Sequence, residues 1–194
     1  MSEFAVVTAN RRKAAAAIDA LCRRGIAARH VHAPLTEIQD DDLGEIARSK
    51  AEQAKKLVGG PVLVEDGGLY IRALNGFPGA YTAYVLRTIG VEGLLSLLER
   101  EERDRGAVLA SRVAYADAEG RISVFADESN VLQVARAASR SDAIEGWSSL
   151  WRILVPPGET APYPEIPEPR RRAFDSYRER CSALSSFAEW YRGS

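Results

Sequence analysis

The spacing of apolar and polar positions changes several times along the chain. Phe4 to Val7 is an unbroken apolar run closed by Thr8-Ala9-Asn10, and Lys13 to Gly25 is alanine-rich with Ile18, Leu21 and Cys22 at helical spacing. This predicts a strand, a polar turn and a helix, with Cys22 in the core. Ala27 to His32 alternate and predict a second strand. Leu43 to Val58 sets Ile46, Ala47, Lys50, Ala51, Ala54 and Leu57 on one stripe and stops at Gly59-Gly60-Pro61, which predicts a helix. Pro61 to Val64 reads as a buried strand whose end opens at Glu65-Asp66-Gly67-Gly68. Gly76 to Tyr81 predicts a turn, Val91 to Glu101 a helix, and Gly106 to Asp117 with Gly120 to Glu128 an antiparallel hairpin. Prolines 156, 157, 162, 164, 167 and 169 make the last third irregular until one closing helix, Arg171 to Tyr191.

Composition narrows the class. A chain of 194 residues with 46% hydrophobic content buries a sizeable core and is not a disordered tail. Its 26 basic and 27 acidic residues leave a net charge of -1, so no global field holds a nucleic acid and any anion is gripped locally. The two cysteines are too few for a disulfide framework or a tetrahedral metal site, which fits a reducing cytoplasm. With no basic, apolar leader and no run of about 18 apolar residues, the expectation is a soluble, unexported protein without a membrane partner.

Several constellations carry chemistry. Thr8-x-Asn10-x-x-Lys13 stands where a strand gives way to a helix N-terminus, whose N–H groups and dipole with an added ammonium suit a phosphate. A helix cap beside a solvated lysine explains the same residues. Glu65 and Asp66, followed by two glycines that leave room for a ligand, suit a hard divalent cation and a water; a tight turn is the alternative. Lys50 on an apolar stripe must snorkel or find an anion, and Glu37 lies in the loop ahead of its helix. Asp40 to Asp42 precede that helix as capping residues. His30 and His32 share a strand face without further zinc ligands at a recognisable spacing. Arg170-Arg171-Arg172 reads as a solvated helix start or a phosphate clamp.

Taken together, Thr8-Ala9-Asn10-Arg11-Arg12-Lys13, Leu35-Thr36-Glu37-Ile38-Gln39 leading to Glu45-Ile46-Ala47-Arg48-Ser49-Lys50-Ala51, Pro61 to Leu69, and Ala73 to Tyr81 resemble the non-canonical purine nucleoside triphosphate pyrophosphatases, the inosine triphosphate pyrophosphatase family. The resemblance implies an elongated mixed β-sheet flanked by helices, one domain over residues 1–194 with two lobes and a central cleft, and a homodimer. It places Thr8, Asn10, Lys13 and Lys50 on the triphosphate, Glu37 on magnesium, and Glu65 and Asp66 at metal and water, with Asp66 as general base. Magnesium and a positioned water would then open the anhydride between the α- and β-phosphates, giving a nucleoside monophosphate and pyrophosphate.

The second half departs from that pattern. Gly146-Trp147 continues as Ser148-Ser149-Leu150-Trp151 where the family has Asp-Pro, and Ser176-Tyr177-Arg178 stands for Ser-His-Arg. Trp147 would still stack on a base, with Ser148, Ser176, Tyr177 and Arg178 as its polar surroundings. Losing an aspartate and a histidine from base recognition implies a preference moved away from inosine and xanthosine. Two alternatives keep the phosphate grip: a nucleotide-binding protein without turnover, and a hydrolase of the phosphate ester or glycosidic bond.

Overall fold

A computed structural model of the chain describes residues 3–100, 104–128, 130–141 and 148–193. The predicted β1 (Phe4–Val7) is present and buried along its whole length. Its run is continuously apolar because both faces are covered: Phe4 and Val6 join one core, Ala5 and Val7 another. It pairs in parallel with β2 (Ala28–Val31) and β3 (Val62–Ile71). The crossovers carry α1 (Arg11–Cys22) and α2 (Leu43–Val58). Asp42 caps α2 through the Gly44 N–H, and Gly59 ends it at φ +75°, a left-handed conformation that costs glycine nothing.

The chain continues with β4 (Pro78–Gly79), α3 (Thr82–Thr88), α4 (Gly90–Leu97), β5 (Gly106–Ala116), β6 (Ile122–Asp127), β7 (Val131–Val134), β8 (Leu154–Val155), α5 (Glu168–Cys181) and α6 (Ala183–Gly193). The strands form a mixed sheet in the order β2-β1-β3-β5-β7-β8, with β4 beside β3 and β6 beside β5. The expected mixed α/β class is present, and β5 and β6 form the antiparallel hairpin read from the sequence. Among the described residues no helix is long and apolar enough to cross a membrane.

Two compact units divide the chain. The first, Met1–Asp66 with Ser111–Asp127 and Glu179–Ser194, holds two cores. One gathers Phe4, Leu21, Leu63, Tyr115 and Phe187; the other packs Ala47, Ala51 and Ala54 of α2 with Val62 and Val64. The second, Gly67–Ala110 with Glu128–Arg178, centres on Leu69, Ile71, Leu94, Leu132, Trp151 and Leu154.

Four expectations are corrected. Cys22 is exposed: the buried stripe of α1 runs through Ala14, Ala17, Ala20 and Leu21, and the next residue turns off it. The strand read as ending at Val64 continues to Ile71, so Glu65-Asp66-Gly67-Gly68 is neither a strand end nor a tight turn. The space of Gly68 is not left for a ligand, because a side chain there would stand 2.4 Å from the Gly79 carbonyl oxygen. The single closing helix is two helices, broken where the Ser182 hydroxyl donates to the Glu179 carbonyl and accepts from the Ser185 N–H.

Glu179 ties α5 to the end of α1, 2.9 Å from Arg23 and 3.0 Å from Arg24. The hydrogen bond from Arg23 is the main cause holding its carboxyl below the ordinary 4.5. A depressed folded pKa contributes stability above the unfolded value, and that contribution is lost as pH falls through the folded one. Glu179→Gln is therefore expected to melt slightly below wild type at neutral pH. The two melting temperatures converge once the pH drops well below 4.5 in thermal scans across that range.

Candidate functional site

Successive residues of a strand face opposite sides of its sheet, and this rule sorts the candidate residues of the first unit. Leu63 lies in the core shared with Ala17 and Leu21 of α1, so Glu65 continues onto that side. Val62 and Val64 lie against the alanines of α2, so Asp66 continues onto the other. Glu65 lines a small pocket with Thr8 and Lys13, walled by Val6, Ala17 and Leu184. Asp66 meets α2.

On the α2 side the buried stripe is built of small residues, Ala47, Ala51 and Ala54, with Lys50 among them at 8% exposure. The charge predicted to need an anion has two. Lys50 Nζ lies 2.5 Å from Glu37 Oε1 and 2.6 Å from Asp66 Oδ2. The side chains of Lys50 and Asp66 are only 10% and 13% exposed, whereas Glu37 is 59% exposed, so water reaches this triad from the Glu37 end. Two carboxylates against one ammonium leave a formal charge of -1. Carboxylate oxygens are hard ligands, and Glu37 with Asp66 match a divalent cation that takes one or two carboxylates and completes its shell with phosphate oxygens and water. Glu65, on the opposite face, is not brought to them. Among the described residues no three of His, Cys, Asp and Glu are gathered as a metal cluster.

The turn after β1 is already knit. Thr8 Oγ1 accepts the Asn10 N–H at 3.1 Å, and Asn10 Oδ1 accepts those of Arg12 and Lys13 at 3.0 and 3.1 Å. Asn10 is thus the cap of α1, and these three donors, expected to be open to a phosphate, are occupied. Lys13 itself is exposed. His30 Nε2 lies 2.9 Å from the Thr8 carbonyl and packs edge-on to His32 at 6.0 Å, which anchors the turn from β2.

In the second unit, Trp147 lies outside the described residues. Ser148 caps the 3-10 turn Ser149–Arg152, accepting the Leu150 N–H at 3.4 Å. That turn carries Trp151, which sits under the Arg178 guanidinium at 4.6 Å and 4.9 Å from the Tyr163 ring. Arg178 also reaches Phe174, one turn back on α5, and donates from Nε to Asn130 Oδ1 at 3.2 Å. Tyr163 donates to Asp175 at 2.7 Å, and burial together with that bond pushes its hydroxyl well above the usual phenol range. Ser176 donates back to the Arg172 carbonyl, while Tyr177 is 40% exposed. Arg178 thus belongs to an aromatic cluster, and Ser148 caps the turn that carries its Trp151. Its other members, Trp151, Tyr163 and Asn130, were missed because long-range packing leaves no local spacing to read. Arg170 pairs with Glu159, Arg171 with the Pro164 carbonyl and Arg172 with Glu168, so all three have local partners.

Known proteins resemble this chain over most of its length. The model of the Ham1 family matches residues 4–190. A dITP/XTP pyrophosphatase of Methanopyrus kandleri is 40% identical over 174 residues, 90% of this chain and 88% of that protein. One of Methanothermobacter marburgensis is 35% identical over 185 residues, 95% and 94% of the two chains. The structure of a HAM1 protein from Coxiella burnetii superposes with a TM-score of 0.80 at 22% identity, covering 100% of both chains. A nucleoside-triphosphatase (dITP/XTP pyrophosphatase) from Mycobacterium abscessus gives 0.76 at 23%, covering 96% of this chain and 97% of that one.

Proposed function

The chain belongs to the Ham1 family, and from that premise we propose that it is a magnesium-dependent nucleoside triphosphate pyrophosphatase. The observation that carries this reading is the Lys50 ammonium held 2.5 Å from Glu37 and 2.6 Å from Asp66, which joins three residues widely separated in sequence into one acidic, phosphate-seeking group. The relatives named dITP/XTP pyrophosphatase support the reaction class.

Glu37 and Asp66 would hold magnesium, which when bound neutralises phosphate charge and stabilises its build-up in the transition state. Lys50 and Lys13 bind phosphate oxygens. Asp66 accepts a proton from the attacking water as its oxygen bonds to the α-phosphorus and the α–β anhydride bond breaks, releasing pyrophosphate. Glu65 faces the Lys13 side of the strand and is left out of the metal pair in this reading.

For the base, the names of the relatives print dITP and XTP, and nothing supports a preference moved away from those nucleotides. A homodimer and a cytoplasmic location accompany the proposal; the unbonded Cys22 and Cys181 agree with a reducing compartment.

The test is pyrophosphate release with magnesium from dITP, ITP and XTP against the ordinary nucleoside triphosphates. Pyrophosphate predominantly from the first three is the expected result. Release only from other triphosphates would overturn the base assignment. Free phosphate or free base instead would move the reaction to another bond, and no product at all would leave a binding protein.

A further inference from the structure

We propose that the Lys50 ammonium is a resident counter-ion that withholds Glu37 and Asp66 from free divalent metal, so that the site takes its metal only together with a triphosphate. This rests on the pyrophosphatase reading and adds the order in which the site fills. Lys50 stands on a stripe of fully buried alanines and has both carboxylates within 2.6 Å. A divalent cation entering alone must either share those oxygens with a positive charge a few ångströms away or push the ammonium off them. On an apolar stripe, a displaced ammonium without a new anion bears an uncompensated desolvation cost. A triphosphate removes that cost, because its oxygens take over Lys50 as the carboxylates are released to the metal. The 59% exposure of Glu37 makes that contact the first to exchange, while Asp66, at 13%, follows.

The same logic makes the coupling reciprocal: whatever factor the triphosphate adds to metal affinity, the metal adds to triphosphate affinity. The magnitude follows from one buried charge contact being exchanged, about tenfold or more.

Mn2+ titrations followed by water-proton relaxation, which separates protein-bound from nucleotide-bound metal, test this. Wild type and Lys50→Arg are expected to bind Mn2+ alone weakly, and Lys50→Met at least about tenfold more tightly. A non-hydrolysable α,β-methylene dITP should strengthen Mn2+ binding to wild type by a similar factor and affect Lys50→Met far less. Equal Mn2+ affinities of wild type and Lys50→Met, or a wild-type affinity unmoved by the analogue, would overturn the proposal. The second comparison needs no variant, so a misfolded Lys50→Met leaves it decidable. Pyrophosphate release with equal Mn2+ affinities sinks the counter-ion role alone; the expected Mn2+ pattern without pyrophosphate sinks the pyrophosphatase reading alone.

Discussion

Asp66→Asn is expected to bind triphosphate in magnesium and turn it over about a thousandfold more slowly, the scale on which loss of a positioned proton acceptor acts. The amide keeps the shape of the carboxylate and one oxygen to offer magnesium beside Glu37, but cannot take a proton from water. Lys50 keeps Glu37 at 2.5 Å, so the ammonium is not left without an anion and the fold is expected to survive. Equilibrium binding of the non-hydrolysable analogue beside single-turnover hydrolysis separates the two effects. Turnover within a few-fold of wild type would remove Asp66 from the general-base role.

Gly68→Ala carries the largest expected loss of stability. A Cβ at this position would lie 2.4 Å from the Gly79 oxygen and 2.8 Å from its carbonyl carbon, and both are backbone atoms. The neighbouring strand cannot step aside cheaply. β4 is paired to β3 at Leu69–Gly79, and Thr82 Oγ1 holds the same junction, donating to the Gly79 carbonyl at 2.7 Å and accepting the Leu69 N–H at 2.8 Å. Overpacking against fixed backbone is expected to cost about 3 kcal/mol. For a chain of this size that lowers Tm by roughly 6–12 °C in calorimetry. A change of only about 0.5 kcal/mol, typical of an unconstrained surface site, would show that β4 is not pinned.

Much of the first unit was legible because its signals are periodic. Phe4 to Val7 and Leu43 to Val58 coincide with β1 and α2, where an unbroken apolar run and a 3.6-residue stripe each have one reading. Lys50 was legible for the same reason: a charge on an apolar stripe demands a partner. What failed did so where local chemistry and tertiary pairing disagree. Glu-Asp-Gly-Gly has the composition of a turn, yet neighbouring strands keep it extended through Ile71. Ser182 carries no sequence mark strong enough to break a helix, and only its hydrogen bonds in the fold do so. The Glu65–Asp66 pair was read as one functional unit, whereas the pleat sends its two members to different sides.

The alanines of α2 have an implication for interpreting variants. Ala47, Ala51 and Ala54 are wholly buried, and they carry no functional group. Each one sets how closely the helix axis approaches the sheet, and therefore how far the four-carbon arm of Lys50 must stretch to reach Asp66. The triad is calibrated by three methyl groups that never meet a nucleotide. A hydrophobic substitution there would masquerade as a chemical lesion, dimming hydrolysis while every reactive atom remained in the chain.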